Sequence, residues 1–295
     1  MTNIHLLTEK GCIATNHLYF MRGIFQRDSL STLLFCIALI TITNLPKRNN
    51  LGYKIADTKV SNLLYIHDLK VNAKNEEEME RCCALIAMFS RDIKMEFGLQ
   101  KCAVIHIQKG IIQDSPCVHN MPLVSSNDSY KYLGILQSSI IHHDMMKEKA
   151  KKEYFNMIRG ILKADIKAAY TTDAIRTYAM PILCYGFGVP KWTRNEIRAI
   201  DTKTQKVLTK NGFHHPKSIL HRLYLARKWG GRGLIGAMDC YIQECAALAK
   251  YLNKNNCAPL VKIVTSVEKH RVYGIMSYID TPKNTDKIIT MAYCK

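Results

Sequence analysis

The sequence predicts an α+β fold, in which helices pack on an antiparallel sheet in the first half of the chain and a helical region follows. Three observations favour this class. Runs of strand length lie at residues 63–71, in CAVIHIQ at 102–108 and in YKYLGIL at 130–136. Segments with apolar residues three and four positions apart lie before and between these runs. From about Asp144 onward only helical patterns remain, interrupted by prolines, and 295 residues suffice for roughly two domains.

The first element is a helix that begins at Asp28 and Ser29, residue types that favour helix N-caps, and runs to about Leu45. Its apolar run from Leu33 has about thirteen residues, short of the roughly twenty that cross a bilayer. The run ends at the polar sequence PKRNN. These features predict a buried helix and no membrane partner.

A tight hairpin follows in LLYIHDLKV, residues 63–71, whose turn carries His67 and Asp68 in place of the usual glycine or asparagine. Asn75 is the predicted N-cap of a strong helix, because three glutamates follow it and complement the helix dipole. Gly98 is the predicted C-cap of that helix. The first half of the chain therefore alternates helices and short strands.

The net charge of +18 is concentrated in the second half of the chain. Residues 1–146 hold 15 lysines and arginines against 13 acidic residues, whereas residues 147–295 hold 27 against 11. This excess favours a polyanionic partner, with nucleic acid ahead of an anionic membrane, although a solvated lysine-rich surface gives the same count. The residues expected to contact nucleic acid are Arg194, Arg198, Lys203, Lys206, Lys210, Arg222, Arg227, Lys228 and Arg232.

Aromatic residues lie among these cations, and the sequence leaves their role open. Trp192, Tyr224 and Trp229 suit base stacking beside phosphate contacts. The two tryptophans could equally anchor a core. The segment WGGRGLIG is not expected to be a phosphate loop, because it lacks the lysine and serine that end such loops.

Eleven cysteines are scattered along the chain without a secretory signal, a pattern typical of reduced, buried thiols in an intracellular protein. Cys240, Cys245 and Cys257 lack the paired spacing of zinc ligands, and the histidines near residue 214 complete no finger pattern. We therefore expect no structural zinc, and a nuclear or cytoplasmic location.

The stretch RGIFQRDSLSTLLFCIAL, residues 22–39, resembles the reverse transcriptase signature of non-LTR retrotransposons, which commonly reads FQGDSLSPLLF. Residues 65–68 resemble the Tyr-x-Asp-Asp hairpin of these enzymes. The segment MEFGLQKCAVI resembles the one that carries a proposed proton-donor lysine, and the segment YKYLGIL resembles the primer grip. PILCYGFGVPKWT and GFHHPKSILHRLYLARKWGGRGLIG are similar to the thumb and following region of the restriction-endonuclease-bearing branch. The resemblance covers about residues 22–240.

This resemblance implies a partial right-hand polymerase palm followed by an α-helical thumb and linker. It divides the chain into a ragged N-terminus at 1–22, a palm at 23–143, a basic thumb and linker at 144–240 and a helical extension at 241–295. The implied partners are RNA and DNA as template and primer, and deoxynucleoside triphosphates. The implied cofactor is Mg²⁺, with Asp68 as ligand. The implied site residues are, for catalysis, Asp68, His67 and Lys101; for nucleotide and template, Phe25, Gln26, Asp28, Ser29 and Tyr65; for the primer grip, Leu133 and Gly134.

Departures from the family pattern predict an inactive copy. Nucleotidyl transfer uses two magnesium ions held by carboxylates, of which family members supply three. His67 stands at the first hairpin aspartate, and residues 1–22 contain no aspartate, so one carboxylate of the three remains. Histidine offers a neutral nitrogen where the site needs an anionic oxygen. Arg27 replaces a family glycine. We expect a truncated, degenerate copy whose magnesium binding is weak or lost.

Several assignments stay open at this point. His67 and Asp68 form either a vestigial turn, which the residue types favour, or a surviving metal site, or His67 recruits a softer metal such as zinc or manganese. Asp28 would cap a helix in any protein. Lys101 is either a phosphate neighbour or a solvated lysine, and Gly134 also suits a tight bend. Two functions follow: an inactive reverse transcriptase-derived fragment or, alternatively, a non-enzymatic basic protein that binds RNA or DNA.

Overall fold

The computed structural model describes residues 5–8, 11–14, 28–55, 57–96, 98–113, 121, 129–138, 141–164, 166–254 and 258–268. They fall into two compact units, one within Met1–Lys54 and Lys59–Gly98 and one within Ile55–Thr58 and Leu99–Lys295. We call these the hairpin unit and the helical unit. Helices and small antiparallel sheets together fit the predicted α+β class. The domain limits expected from the sequence stay predictions.

The first 92 residues contribute short antiparallel hairpins and two helices. The elements in chain order are β1 (His5–Thr8), β2 (Gly11–Ala14), α1 (Ser29–Arg48), β3 (Tyr53–Ile55), β4 (Thr58–Val60), β5 (Asn62–Tyr65), β6 (Asp68–Val71) and α2 (Glu76–Asp92). The core of the hairpin unit consists of Leu39 and Ile42 from α1 and Ile86 from α2. Partly buried Leu64 and Leu69 of the β5–β6 hairpin pack against these residues.

Helix α1 is longer and more exposed than expected. It continues past Pro46 to Arg48, because a proline in the last turn removes only one of the final helical hydrogen bonds. By length and composition its 20 residues could cross a membrane, and only 22% of the apolar window is buried. The expectation that the segment is too short for a bilayer is therefore wrong. The expectation of a buried helix is wrong for most of its surface, although Leu39 and Ile42 are buried.

Two local predictions in the hairpin unit are confirmed. Residues 63–71 form the β5–β6 hairpin, in which Tyr65 lies opposite Asp68. Asn75 caps α2, since its side chain accepts a hydrogen bond from the Glu78 N–H at 2.9 Å. Both features depend on residues close together in the chain.

The predicted end of α2 at Gly98 is wrong. The helix stops at Asp92, and Lys94 takes a left-handed φ of +55°. The Met95 N–H then donates to the Ser90 carbonyl oxygen at 2.8 Å, which satisfies a terminal carbonyl. A lysine therefore takes the left-handed position that was expected of the glycine.

The strands of the helical unit are shorter than predicted. Of the segment 102–108, only β7 (Ile107–Gln108) is a strand, and it pairs with β8 (Ile111–Ile112). The segment 130–136 is a hairpin rather than one strand, made of β9 (Tyr130–Tyr132) and β10 (Ile135–Gln137). Among the described residues, five separate two-stranded sheets replace the single sheet expected. Each strand pairs only over the few residues next to its turn. The alternation of apolar and polar residues continues beyond this pairing and therefore overestimates the length of the strand.

Helices make up the rest of the helical unit. They are α3 (His143–Lys163), α4 (Ala168–Ala174), a π-helical turn (Ile175–Ala179), α5 (Met180–Cys184), α6 (Arg194–Lys210), α7 (His221–Tyr224), a 3-10 turn (Arg227–Trp229), α8 (Ala237–Lys254) and α9 (Ala258–Glu268). Eighteen buried residues between Tyr154 and Cys240 form one apolar cluster. At the start of α6, Thr193 and Glu196 form a reciprocal capping box. The helical unit therefore has a large, continuous core.

Candidate functional site

The turn between β5 and β6 holds the residues expected to carry catalysis. Ile66 and His67 close the turn, and Ile66 takes a φ of +54°, which is uncommon for a β-branched residue. His67 Nε2 lies 3.7 Å from Asp68 Oδ1, and the two side chains are 71% and 46% exposed. Tyr65 is also exposed. The histidine and aspartate therefore meet at a solvated hairpin tip.

The donors on this hairpin do not fit the two-magnesium site that the resemblance implies. Asp68 supplies one carboxylate and His67 supplies a nitrogen, whereas magnesium takes several oxygen ligands. Within the part of the chain that the structure describes, no group of three or more His, Cys, Asp or Glu side chains could hold a metal ion. Asp68 is thus the one carboxylate that this turn offers.

The residues expected beside the nucleotide divide into two groups. Phe25 and Gln26 lie outside the described residues. Asp28 and Ser29 begin α1, and the Asp28 carboxylate accepts hydrogen bonds from the hydroxyl and the N–H of Ser31, each at 2.8 Å. These bonds hold the pKa of Asp28 below its usual value. Asp28 therefore acts as a helix cap, and a role near a nucleotide stays a prediction.

The expected primer grip is a tight turn in the helical unit. Leu133 and Gly134 take φ values of +47° and +76° and join β9 to β10. Tyr185, just after α5, donates its hydroxyl to the Leu133 carbonyl oxygen, and a Cβ on Gly134 would lie 3.1 Å from the Tyr185 ring. Glycine is therefore required for both backbone angle and space. No sequence pattern singles out Tyr185, because Leu133 lies 52 residues away.

Lys101 also lies in the helical unit, at the end of a short 3-10 turn (Leu99–Lys101). It is exposed, and its carbonyl oxygen accepts a hydrogen bond from the Tyr130 hydroxyl at 2.9 Å. This bond ties the backbone of Lys101 to β9. The proposed proton-donor role of its ammonium group stays a prediction.

All nine basic residues expected to contact nucleic acid lie in the helical unit, and eight of them are exposed. Arg232 is half-buried. Lys203, Lys206 and Lys210 are three and four positions apart, so they share one side of α6. The buried residues of α6, Ile197 among them, lie on a different face of the helix. Helix α6 therefore presents a row of ammonium groups to solvent.

The structure separates the two tryptophans, whose roles the sequence left open. Trp192 is 8% exposed and packs edge to face on Phe187, with ring centroids 5.9 Å apart. The Lys147 ammonium lies 5.9 Å from the centroid of the Trp192 ring. Trp229 is 69% exposed, and the Lys228 ammonium lies 5.6 Å from its centroid. Trp192 is thus a core residue, whereas Trp229 offers a ring to solvent.

Trp229 belongs to an ordered loop, residues 222–234, which we call the basic turn. The Arg232 N–H donates to the Arg222 carbonyl oxygen at 2.8 Å and so joins the two sides of the loop. A Cβ on Gly231 would lie only 1.9 Å from the Leu225 carbonyl oxygen. The glycines of WGGRGLIG therefore allow a close backbone approach at this turn.

Half-buried titratable groups lie near the start of α8, and no sequence motif indicates them. The Asp201 carboxylate accepts hydrogen bonds from the N–H groups of Ala237 and Met238 at 2.7 and 3.1 Å. Burial raises the pKa of Asp201. The pKa of Asp239 is raised by burial and by the nearby charge of Asp201. Tyr224 also is largely buried, which raises its pKa to about 12. These groups cap and fill the helical unit and leave Trp229 as the exposed aromatic of the basic turn.

Among the cysteines whose side chains the structure describes, three are buried and four are partly buried. Cys184 and Cys240 share a hydrogen bond between α5 and α8, which lowers the pKa of Cys184 and raises that of Cys240. This arrangement is consistent with the reduced thiols expected from the sequence. Cys257 lies outside the described residues.

Comparison with known proteins identifies a distant relative. No family model matches the chain. A 235-residue alignment with the retrovirus-related Pol polyprotein from type-1 retrotransposable element R2 of Popillia japonica is 25% identical and covers 75% of this chain. The chain spans 37% of the length of that relative. This similarity supports a reverse transcriptase-related origin, as the sequence motifs predicted.

Proposed function

We propose that this chain is a reverse transcriptase-derived protein that binds RNA or DNA through its helical unit and does not copy RNA into DNA. The similarity to the R2 Pol polyprotein supports the descent. The proposal places the protein in the nucleus or cytoplasm, where such partners are found. Use of deoxynucleoside triphosphates would be lost together with the metal site.

The exposure of the basic residues is the observation that carries this proposal. Eight of the nine expected contact residues are exposed on a unit with a large buried core. Cations held on a stable body attract phosphates and release the counterions that surround nucleic acid. This attraction is largely independent of sequence and falls steeply with salt. The helical unit therefore has what electrostatic binding requires.

The β5–β6 hairpin supports the second part of the proposal. Catalysis by two metals needs carboxylates that keep both ions in place. Here an imidazole stands beside the Asp68 carboxylate, and the two side chains are 71% and 46% exposed. A single exposed carboxylate binds magnesium weakly. We therefore expect no templated synthesis.

Templated DNA synthesis is the second candidate, and one observation favours it. The hairpin retains its two-residue turn and the register that sets Tyr65 opposite Asp68. One substitution, His67→Asp, would restore the second hairpin carboxylate. The β5–β6 hairpin could thus still hold two adjacent carboxylates.

Primer extension on an RNA template tests the catalytic part of the proposal. The unmodified chain, His67→Asp and the matched double variant His67→Asp with Asp68→Asn would be compared with magnesium and with manganese. We expect no extension by the unmodified chain or by the double variant. Extension by the unmodified chain above the level of the double variant would show that it is an active polymerase.

Fluorescence anisotropy with a labelled oligonucleotide tests the binding part. We expect binding that weakens strongly between low and physiological salt, since each phosphate contact adds about 0.9 to the slope of log affinity against log salt for duplex DNA. The charge-reversed pair Lys206→Glu with Lys210→Glu should weaken binding by at least about tenfold and flatten that slope by about two.

A matched pair in the hairpin unit controls for net charge. Lys54 and Lys74 are exposed, and their reversal to glutamate changes the total charge by the same amount. We expect this pair to leave affinity nearly unchanged. Equal losses for both pairs would mean that binding responds to overall charge and not to the helical unit.

A further inference from the structure

Trp229 is an unusual residue to expose. Its side chain is 69% exposed, whereas Trp192 is 8% exposed in the core. A large aromatic ring left in water gives up a substantial hydrophobic gain, and aromatic rings at the surface are enriched where partners bind. The exposure therefore points to a contact that the described residues do not provide.

The backbone that carries Trp229 is rigidly held. Its N–H donates to the Ala226 carbonyl oxygen at 2.9 Å, and the Gly230 N–H donates to the Arg227 carbonyl oxygen at 3.0 Å. Gly230 takes a left-handed φ of +79° that ends the 3-10 turn. These bonds order the backbone beneath the ring, which lowers the entropic cost of using the ring in binding.

Arg227 fixes this tip to the rest of the helical unit. Its guanidinium donates to the Ala169 carbonyl oxygen and to the Thr172 hydroxyl of α4, the latter at 2.7 Å, and it pairs with Asp173 at 3.1 Å. The Arg227 side chain therefore links the basic turn to α4. The cations that remain beside the ring belong to other residues.

One cation lies beside the exposed ring. The Lys228 ammonium lies 5.6 Å from the ring centroid of Trp229. A backbone hydrogen bond joins exposed Arg222 to half-buried Arg232 across the basic turn, and the Arg232 guanidinium lies over the Phe213 ring at 4.4 Å. A planar ring beside positive groups matches the two parts of a nucleotide, which are a base with a π-face and an anionic phosphate.

We propose that Trp229 is a stacking platform for an unpaired base and that the basic turn selects single-stranded over double-stranded nucleic acid. This inference rests on the proposed nucleic-acid binding and specifies its substrate. Bases in a duplex stack on each other, so their faces are hidden, whereas a single strand can place a base on an exposed ring. Phosphate contacts from Lys228 and Arg222 serve both forms equally.

Binding of Trp229→Ala to four probes tests the proposal. The probes share a length of about ten nucleotides: single-stranded RNA, single-stranded DNA, duplex DNA and an abasic strand that has the phosphates but no bases. We expect about tenfold weaker binding to both single strands, and unchanged binding to the duplex and the abasic strand. Trp229→Phe, which keeps a smaller ring, should recover part of the loss.

Two controls accompany this variant. Tyr251→Ala removes an exposed aromatic ring from α8, and we expect it to bind all four probes as the unmodified chain does. Tryptophan emission supplies a direct readout, because the chain has two tryptophans. Stacking should quench the emission of the unmodified chain, whereas Trp229→Phe, which retains the buried Trp192, should show little quenching.

The outcomes separate this proposal from the one it rests on. If the unmodified chain binds no probe, nucleic-acid binding itself is refuted and stacking with it. If the chain binds but Trp229→Ala matches it on every probe, only the stacking role is overturned. An equal loss on the abasic strand and the single strands would also overturn it, because the effect would then not depend on bases.

Discussion

The hairpin unit and the helical unit differ most in how their candidate sites are supported. Three fully buried apolar residues form the core of the hairpin unit, against eighteen in the cluster of the helical unit. Helix α1 of the hairpin unit exposes Leu30, Leu33, Leu34, Ile37 and Ile40. A metal site requires carboxylates held in place by packed neighbours, whereas electrostatic binding requires only cations on a stable body.

This difference favours the proposed nucleic-acid binding over catalysis. His67 and Asp68 lie at an exposed turn. The row of lysines on α6 and the basic turn lie on helices and loops anchored to the large core. Electrostatic binding has the simpler chemical requirement, and its candidate residues lie on the helical unit, which has the larger core.

Removal of a core side chain from the helical unit should have the largest effect. Ile158 is fully buried, and we expect Ile158→Ala to lower the free energy of unfolding by about 2–5 kcal/mol. Chemical denaturation followed by the emission of buried Trp192 measures this loss. The neighbouring Met157 is 39% exposed, so Met157→Ala is the matched control. Equal effects of the two variants would contradict the view of α3 as a core helix.

Glu196 should rank next, because it performs two tasks. It completes the capping box of α6 and pairs with the buried Lys147 at 2.9 Å. We expect Glu196→Ala to cost about 2 kcal/mol, since Lys147 then keeps one carboxylate partner, the exposed Asp144. Glu148 forms an exposed pair with Lys151, so Glu148→Ala should change stability by less than about 1 kcal/mol. A Glu196→Ala effect as small as that of Glu148→Ala would count against a structural role.

The half-buried carboxylates of Asp201 and Asp239 predict that the stability of the helical unit depends on pH. Burial raises the pKa of Asp201, and the pKa of Asp239 is raised by burial and by the charge of Asp201. The native state therefore binds protons at these carboxyl groups more tightly than the unfolded chain does. Their protonation stabilises the native state in full below the unfolded pKa of about 3.9. This stabilisation is lost as pH rises through the native pKa. Above the native pKa, burial of the two charged groups opposes folding.

Asp239→Asn should remove this cost. We expect the variant to raise the free energy of unfolding at neutral pH, with a gain that disappears as pH falls below about 3.9. Urea denaturation at several pH values measures the gain. Glu153→Gln on an exposed part of α3 is the control for loss of a charge. A gain that is the same at all pH values would exclude charge burial as its cause.

The confirmed and the wrong predictions differ in the distance over which they act. The Asn75 cap and the β5–β6 turn depend on residues up to three apart, and the sequence predicted them correctly. The segment 102–108 was overestimated as a strand, because pairing rather than alternation decides where a strand ends. Trp192 and Trp229 have similar sequence surroundings, and only tertiary packing buries one and exposes the other. Long-range contacts therefore decide the candidate site.

The smallest effect should come from the exposed side of α1. Leu33 is 56% exposed, and we expect Leu33→Gln to change the free energy of unfolding by less than about 0.5 kcal/mol. Ile42, on the same helix but 2% exposed, is the matched position, and Ile42→Gln should cost several kcal/mol because it buries an amide in an apolar core. Denaturation followed by far-ultraviolet circular dichroism compares the two. If Leu33→Gln were as costly as Ile42→Gln, the apolar face of α1 would be covered in the folded protein, and the hairpin unit would have a larger core than the cluster of Leu39, Ile42 and Ile86 provides.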